Sequence, residues 1–324
     1  MYKPFKLPDD FLMGSATAAT QIEGGDRNNT WYDWCEKGKI LDGSSCLRAN
    51  DHWNRVEEDV GLIRQLNHRA YRLGLEWSRI EPNNGQFDFS AISHYRNEIE
   101  MLIQNGVKPL VTLHHFSSPL WLRDEGEFEN EKAVGYFERY TRYVVENLGD
   151  LVSEYITINE PNVYVANGYF FGDWPPGQKN LGLALKVFKN MTLCHIASYR
   201  AIHEVRKKMG FKGITMVGVA NHLRIFDPYS RNPLDLLAAK VMEHMFQGAI
   251  VKSMTTGRLR FPIGFGAPMG KGRFFDFIGI NYYSRSAVRF KGFKDDVMPN
   301  TQRNDLGWEI YPKGLYDLCK KAYK

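Results

Sequence analysis

The chain has 324 residues, 43% of them hydrophobic and 14% aromatic, enough to bury one large α/β core or two ordinary ones. Its 42 Lys and Arg against 37 Asp and Glu leave a formal charge of +5, and the two signs are interspersed, which argues against a nucleic-acid or membrane partner. The four cysteines (Cys35, Cys46, Cys194 and Cys319) form no CxxC pair. They imply reduced thiols rather than a disulfide frame or a zinc site, and with no apolar leader and no run near the ~18 apolar residues of a membrane span the expected location is cytoplasmic.

Strand-like and helix-like segments alternate along the chain. Residues 11–19 read as a first strand ending in small side chains. Residues 51–66 read as a helix, because Val56, Val60 and Ile63 fall at helical spacing. Residues 68–77 form a second strand. Ser90 is placed to cap a helix carrying Ile92, Tyr95, Ile99, Leu102 and Ile103, which Gly106 ends. Residues 108–116 make a third strand, 131–148 a helix closed by Gly149, and 154–160 a fourth strand. A long helix over 183–209 stops at Gly210. Then come a fifth strand over 214–223, a helix over 233–254 and a sixth strand over 274–283. Pro312 suits the first position of a last helix. No linker of low complexity interrupts this order, so 1–324 is expected to be a single domain.

Alternating β and α elements imply an α/β fold with a parallel sheet. A doubly wound sheet would carry a Gly-rich phosphate loop after strand one, and there is none. Instead, polar residues collect at the ends of several strands: Gln21 and Glu23, Ser78 and Arg79, His115, Glu160, Asn281 and Tyr283. That is where a TIM (β/α)8 barrel keeps its chemistry. Only about six βα units can be counted, so the barrel is expected to be incomplete, lacking strands seven and eight.

The run Thr157-Ile158-Asn159-Glu160-Pro161 delivers a carboxyl at a strand tip. Such a group can protonate a leaving oxygen, but hydrolysis of a glycosidic bond ordinarily takes two carboxyls. Without further context the same Glu could serve a structural ion pair. His114 and His115 point to opposite faces by strand alternation, leaving His114 to packing. Arg72 and Glu76 share strand parity and can pair with each other. Met13, the other methionines and the Cys194-His195 pair show no ligand spacing, so no metal is expected.

Five segments together resemble glycoside hydrolase family 1, the retaining β-glucosidases and 6-phospho-β-glucosidases. They are Phe11-Leu12-Met13-Gly14-Ser15-Ala16-Thr17 with Gln21-Ile22-Glu23-Gly24, then Tyr71-Arg72-Leu73-Gly74-Leu75-Glu76-Trp77-Ser78-Arg79-Ile80, then Leu113-His114-His115-Phe116 with Pro119 and Trp121, then the Asn159-Glu160 run, and last Asp276-Phe277-Ile278-Gly279-Ile280-Asn281-Tyr282-Tyr283. The resemblance implies Glu160 as general acid/base and Asn159 on the sugar 2-hydroxyl. It implies Gln21 and His115 on hydroxyls of the terminal sugar, Arg72 beneath the nucleophile, and Tyr283, with Asn281 beside it, hydrogen-bonded to that nucleophile. Trp121 and Phe116 are candidates to shape the sugar pocket. The implied substrate is a small β-glycoside or its phosphate, and no cofactor is implied.

Three departures qualify the likeness. The Ile-Thr-Glu-Asn-Gly motif that holds the family's nucleophile is not in this sequence, nor is the final segment with its Glu-Trp sugar contacts. A Gly-rich bridge over 263–272 stands where relatives have a longer passage. Asn162 follows Glu-Pro where many relatives carry an aromatic. Glu23 and Glu76 are the remaining strand-end carboxyls, but Glu23 lies past strand one and Glu76 has Arg72 to neutralise it. The reading is therefore a retaining β-glycosidase in carbohydrate metabolism whose nucleophile lies elsewhere. A catalytically impaired sugar-binding remnant is the alternative. The open barrel edge would take a complementing C-terminal fragment or a second copy of the chain.

Overall fold

The computed structural model describes residues 5–323; the first four residues of the stretch read above for a leader, and Lys324, lie outside them. Backbone contacts divide the chain into two compact units. The first comprises Met1–Glu125, Arg142–Tyr155 and Val205–Thr215, and the second Gly126–Thr141, Ile156–Glu204 and Met216–Lys324.

In the first unit β1 (Gly14–Ala16), β2 (Ala70–Gly74) and β3 (Lys108–His114) pair in parallel, Gly14 with Ala70 and Ala70 in turn with Lys108. Gly14 is required there: a Cβ would stand 2.1 Å from the Ala70 carbonyl oxygen. Helix His52–Gln65 buries Val56, Val60 and Ile63, the stripe its spacing predicts. Helix Phe89–Gln104 likewise buries Ile92, Tyr95, Ile99 and Leu102. Its N-cap is Asp88 rather than Ser90. The Asp88 carboxylate accepts the Ser90 and Ala91 amides, at 2.7 and 3.3 Å, and its charge suits the positive end of the helix. Strands one and two are shorter than read. Ala19–Ile22 and Trp77–Ile80 are helical turns, because the chain leaves the sheet once Gly74 has paired with Thr112.

The second unit holds most of β4 (Glu154–Asn159), then β5 (Met216–His222), β6 (Ile225–Pro228), β7 (Phe277–Asn281), β8 (Arg285–Arg289) and β9 (Lys294–Asp296). β5 and β7 run parallel, Gly218 beside Phe277 and His222 beside Asn281. β6, β8 and β9 form a small separate sheet that the sequence did not disclose. Its strands are four, five and three residues long, too short to show a period. Helix Pro233–Glu243 packs Ala238 and Ala239 against Val288 of β8, then continues through a π-helical turn, His244–Gly248, into helix Ala249–Thr256. The long helix Leu181–Met209 and the last helix Lys313–Tyr323 lie within a few residues of the predicted ranges.

Six parallel strands thus make one sheet in the order β1-β2-β3-β4-β5-β7. The fold is an incomplete TIM barrel, two strands short of the eight that close one. No helix among the described residues is long and apolar enough to cross a membrane.

Candidate active site

β4 buries Ile156 and Ile158 and ends at Asn159, itself 1% exposed. The next residue, Glu160, adopts the left-handed conformation, φ 47° and ψ 57°. A non-glycine residue rarely does so, and such strain gathers at functional sites. The turn it makes is fixed from both sides. Its amide donates to the Ala220 carbonyl of β5 at 2.6 Å, and its own carbonyl accepts the amides of Val163 and Tyr164. Pro161 opens the short helix Pro161–Val165, where its missing N–H costs nothing. Sequence therefore sets the aim of the Glu160 side chain: strand, left-handed corner, proline, helix.

The carboxyl is buried, at 4% exposure, among groups that donate to it. Asn281, at the end of β7, gives its amide to Glu160 Oε1 at 2.6 Å and to Asn159 Oδ1 at 3.0 Å. Tyr283 donates its phenol to the same Oε1 at 3.2 Å and is itself half exposed. The second unit thus brings four of the predicted site residues together: Asn159, Glu160, Asn281 and Tyr283. The resemblance gave the Tyr283 phenol to the nucleophile; here its hydrogen bond runs to Glu160.

Around them stand Asn162, the departure after Glu-Pro, and two residues not singled out from the sequence, His222 and Trp308. The His222 ring lies 4.9 Å from that of Tyr283, and Trp308 meets Tyr283 edge-on at 5.9 Å. Burial and then the Arg224 charge push His222 down to about 3, so the ring is neutral at ordinary pH. Asn162 is fully buried and donates to the His222 carbonyl at 2.8 Å. His222 ends β5, and the rule that flagged polar strand ends applies to it equally; Trp308 sits in a loop, where no such rule reaches.

Gln21, Arg72 and His115 belong to the first unit. Gln21 is exposed in the helical turn after β1. Arg72 lies in β2, half-buried, and its charge adds to burial in pushing His115 down to about 3. A neutral imidazole both donates and accepts, which suits vicinal hydroxyls. His114 is fully buried and is likewise pushed to about 3 by burial alone. Phe116, left-handed at φ 68°, turns the chain out of β3 and accepts the Trp31 indole N–H at 3.0 Å. Trp121 donates its indole N–H to the Glu81 carbonyl at 2.8 Å and meets Trp77 edge-on.

Glu23 and Glu76, weighed above as stand-in nucleophiles, share a hydrogen-bonded network of the same unit and line a small cavity with Asp26 and Arg79. Glu23 takes the Arg79 guanidinium at 2.8 Å and the Tyr95 phenol at 2.7 Å. Glu76 accepts hydroxyls from Thr20, Ser78 and Ser117 at 2.8–3.0 Å. Ser78 also lies 2.6 Å from Asp26, so its single hydrogen serves one of two carboxyls. Burial, then the Asp26 charge, raises Glu76 to about 7 against the pull of the three hydroxyls.

No cluster of three or more metal-ligating side chains exists among the described residues. His195 is held between the Thr157 hydroxyl and the Phe274 carbonyl, each at 2.7 Å, and Cys194 is buried beside it.

The sequence profile of glycosyl hydrolase family 1 matches residues 3–263. The chain belongs to that family. It is 30% identical to β-glucosidase A of Acetivibrio thermocellus, over 96% of this chain and 74% of the relative. It is also 30% identical to the 6-phospho-β-glucosidase GmuD of Bacillus subtilis, over 97% and 74%. Among solved structures it superposes on a β-glycosidase from Pyrococcus horikoshii with TM-score 0.84 and 34% identity, covering 99% of this chain and 74% of that one. A β-glucosidase from Thermotoga maritima in complex with glucoimidazole gives TM-score 0.87 at 29% identity, covering 98% and 75%. These likenesses support a β-glycosidase function. The profile match stops where the Gly-rich bridge begins. That bridge is a pinned turn, with Gly270 N–H on the Ala267 carbonyl and the Arg200 guanidinium on the Met269 carbonyl.

Proposed function

We propose that this chain carries the acid/base half of a retaining β-glycosidase for terminal β-glucosides or 6-phospho-β-glucosides. The observation that carries the proposal is Glu160: a buried carboxyl turned off a strand tip by a left-handed corner and held by Asn281 and by the half-exposed Tyr283. In the double-displacement route Glu160 protonates the leaving oxygen while a second Glu attacks the anomeric carbon. Glu160 then takes a proton from the water that releases the sugar. Asn159 holds the 2-hydroxyl, Gln21 and His115 the hydroxyls of the terminal ring, and Arg72 supports the nucleophile. Trp308 and His222, both beside Tyr283, are offered to the leaving group.

The nucleophile comes, on this reading, from a segment equivalent to the quarter of the relatives that the chain does not cover. Two features support an added strand. β1 is exposed at all three residues, and β7 is only half-buried along its length, although a parallel barrel strand is normally covered on both faces. The test is hydrolysis of an aryl β-glucoside and its 6-phosphate by the chain alone and with a polypeptide supplying a relative's strands seven and eight. Activity only in the mixture is the expected result. Activity of the chain alone would show that it holds its own nucleophile. A mixture that binds sugar but never turns over would favour the sugar-binding remnant.

A further inference from the structure

The even mixing of charge that holds for the chain as a whole fails over residues 244–275. Between Glu243 and Asp276 there is no acidic residue, but there are five basic ones: Lys252, Arg258, Arg260, Lys271 and Arg273. The two flanking acids are already engaged, Glu243 with Lys321, and Asp276 with the His203 ring and the Val217 amide, each at 2.9 Å. Among the described residues Lys252, Arg258, Arg260 and Lys271 make no ion pair. The loop over 257–272 carries much of this charge on an ordered frame. Its arms are joined by backbone bonds, the Gly272 N–H on the Thr256 carbonyl at 3.2 Å and the Leu259 N–H on the Gly266 carbonyl at 2.9 Å. Gly257, at φ +68°, lets them close, since a Cβ there would stand 2.5 Å from the Gly270 oxygen. At the tip Ile263 turns inward, while Phe261 and Phe265 project, 63% and 81% exposed. The His244 ring donates to the Phe261 carbonyl at 2.7 Å and so ties the tip to the preceding helix. Two aromatic rings held out at the end of an ordered loop forgo the burial that stabilises such side chains, and exposed apolar groups set among charges mark a contact surface.

We propose that this loop docks on an anionic phospholipid surface, with Phe261 and Phe265 entering the boundary between headgroups and acyl chains and Arg258 and Lys271 meeting lipid phosphates. The occupant must be both negative and apolar, and an anionic bilayer is both. The two rings project from a tip instead of lining a groove. Their centroids lie 6.4 Å apart and their planes are tilted by 34°, so they form no flat slot for a nucleic-acid base. The backbone bonds order the loop before contact, which lowers the entropic cost of docking. The interspersed charge that argued against a membrane partner is an average over the chain, and it hides this segment. The loop enters β7 at Phe277, whereas Asn281, which holds Glu160, ends that strand. The docking surface and the Glu160 carboxyl therefore belong to opposite ends of β7, and the proposal does not rest on a catalytic role for Glu160.

The experiment sediments the whole chain with vesicles of phosphatidylcholine alone or of phosphatidylcholine mixed with phosphatidylglycerol, at low salt and again in about 0.5 M NaCl. The expected result is pelleting with the anionic vesicles, little with the neutral ones, and release by salt. Replacing both rings, Phe261→Ser with Phe265→Ser, should weaken partitioning by roughly tenfold or more. Reversing two charges, Arg258→Glu with Lys271→Glu, should bring binding down to the level seen on neutral vesicles. All four side chains are exposed, so both variants should melt at the temperature of the unmodified chain. Equal pelleting on neutral vesicles, none on anionic ones, or undiminished binding by either folded variant would overturn the proposal, as would binding of poly(U) RNA in place of vesicles. The lipid and salt dependence is read on the unmodified chain, so a misfolded variant would not spoil the test.

Discussion

Each unit buries carboxyls near the ends of its strands, and the two groups are built for opposite ends. In the first unit Glu23 and Glu76 are held by a guanidinium, a phenol and three hydroxyls, and both line a small cavity with Asp26. Arg79 is itself clamped over the Trp53 ring, 3.9 Å from its centroid. In the second unit Glu160 is held by an amide and by a phenol that is half exposed. Burial and a strand-end position are common to both. What differs is the partner set: a guanidinium, a phenol and several hydroxyls in the first unit, an amide and a half-exposed phenol in the second. A buried, perturbed carboxyl is therefore a weak sign of catalysis until its approach is examined.

Breaking the second group should cost chemistry. Glu160→Gln in the complemented protein is expected to lower kcat/KM on substrates with poor leaving groups by roughly 10²–10⁴, the usual worth of a general acid. The Tm should hardly move, and steady-state kinetics beside a thermal melt would show the split. Loss of both together would make Glu160 as structural as Glu23.

Breaking the first group should cost stability. Arg79→Ala takes the guanidinium from Glu23, which keeps the Tyr95 phenol, and from the Gly24 carbonyl, and leaving buried polar groups short of a partner costs about 1–3 kcal/mol apiece. Urea unfolding midpoints would measure it, and an unchanged midpoint would dissolve the contrast. A smaller effect is expected for Asn281→Ala, which removes one bond to Glu160 and one to Asn159. Hydrogen bonds to charged groups are worth about 1.5–3 kcal/mol, or roughly ten- to a hundredfold in kcat/KM.

The smallest effect is in the pH dependence of stability. Glu76 keeps its proton to about 7, and Glu23 to about 8, because burial outweighs the pull of Arg79 and Tyr95. Unfolded glutamates release theirs near ~4.3. The folded chain therefore binds more protons across that window, and stability should fall as pH rises through it. His52 adds to the same slope. Burial pulls it down, but hydrogen bonds to Glu98 and Asp59 prevail and raise it to about 9, so its contribution is lost as pH climbs through that value. Glu76→Gln should flatten the slope around neutrality by no more than about 1.4 kcal/mol per pH unit. Denaturant titrations across the range would record it.

The sequence made much of this legible, because the long elements carry period and the strand ends carry polarity. The stripes Val56, Val60, Ile63 and Ile92, Tyr95, Ile99, Leu102 found their helices. Polar strand ends pointed to Glu160 and Asn281, which the fold joins by a hydrogen bond. What stayed hidden depends on tertiary placement. β6, β8 and β9 are short and pair with one another rather than with the main sheet. Ser90 lost its cap to Asp88, two residues earlier and charged. Glu76 took hydroxyl partners not only from Ser78, two residues on, but from Thr20 and Ser117, which no spacing connects to it.

The left-handed corner at Glu160 has a consequence for how this position would behave over many generations. Holding a glutamate there costs on the order of 1–3 kcal/mol, and glycine would relieve most of that. The substitution that would erase the proposed acid/base is thus also one that eases the backbone. Random change left to itself runs downhill away from glutamate at this site. Position 160 works as a gauge of purifying pressure, where only a demand for chemistry keeps the less comfortable residue in place.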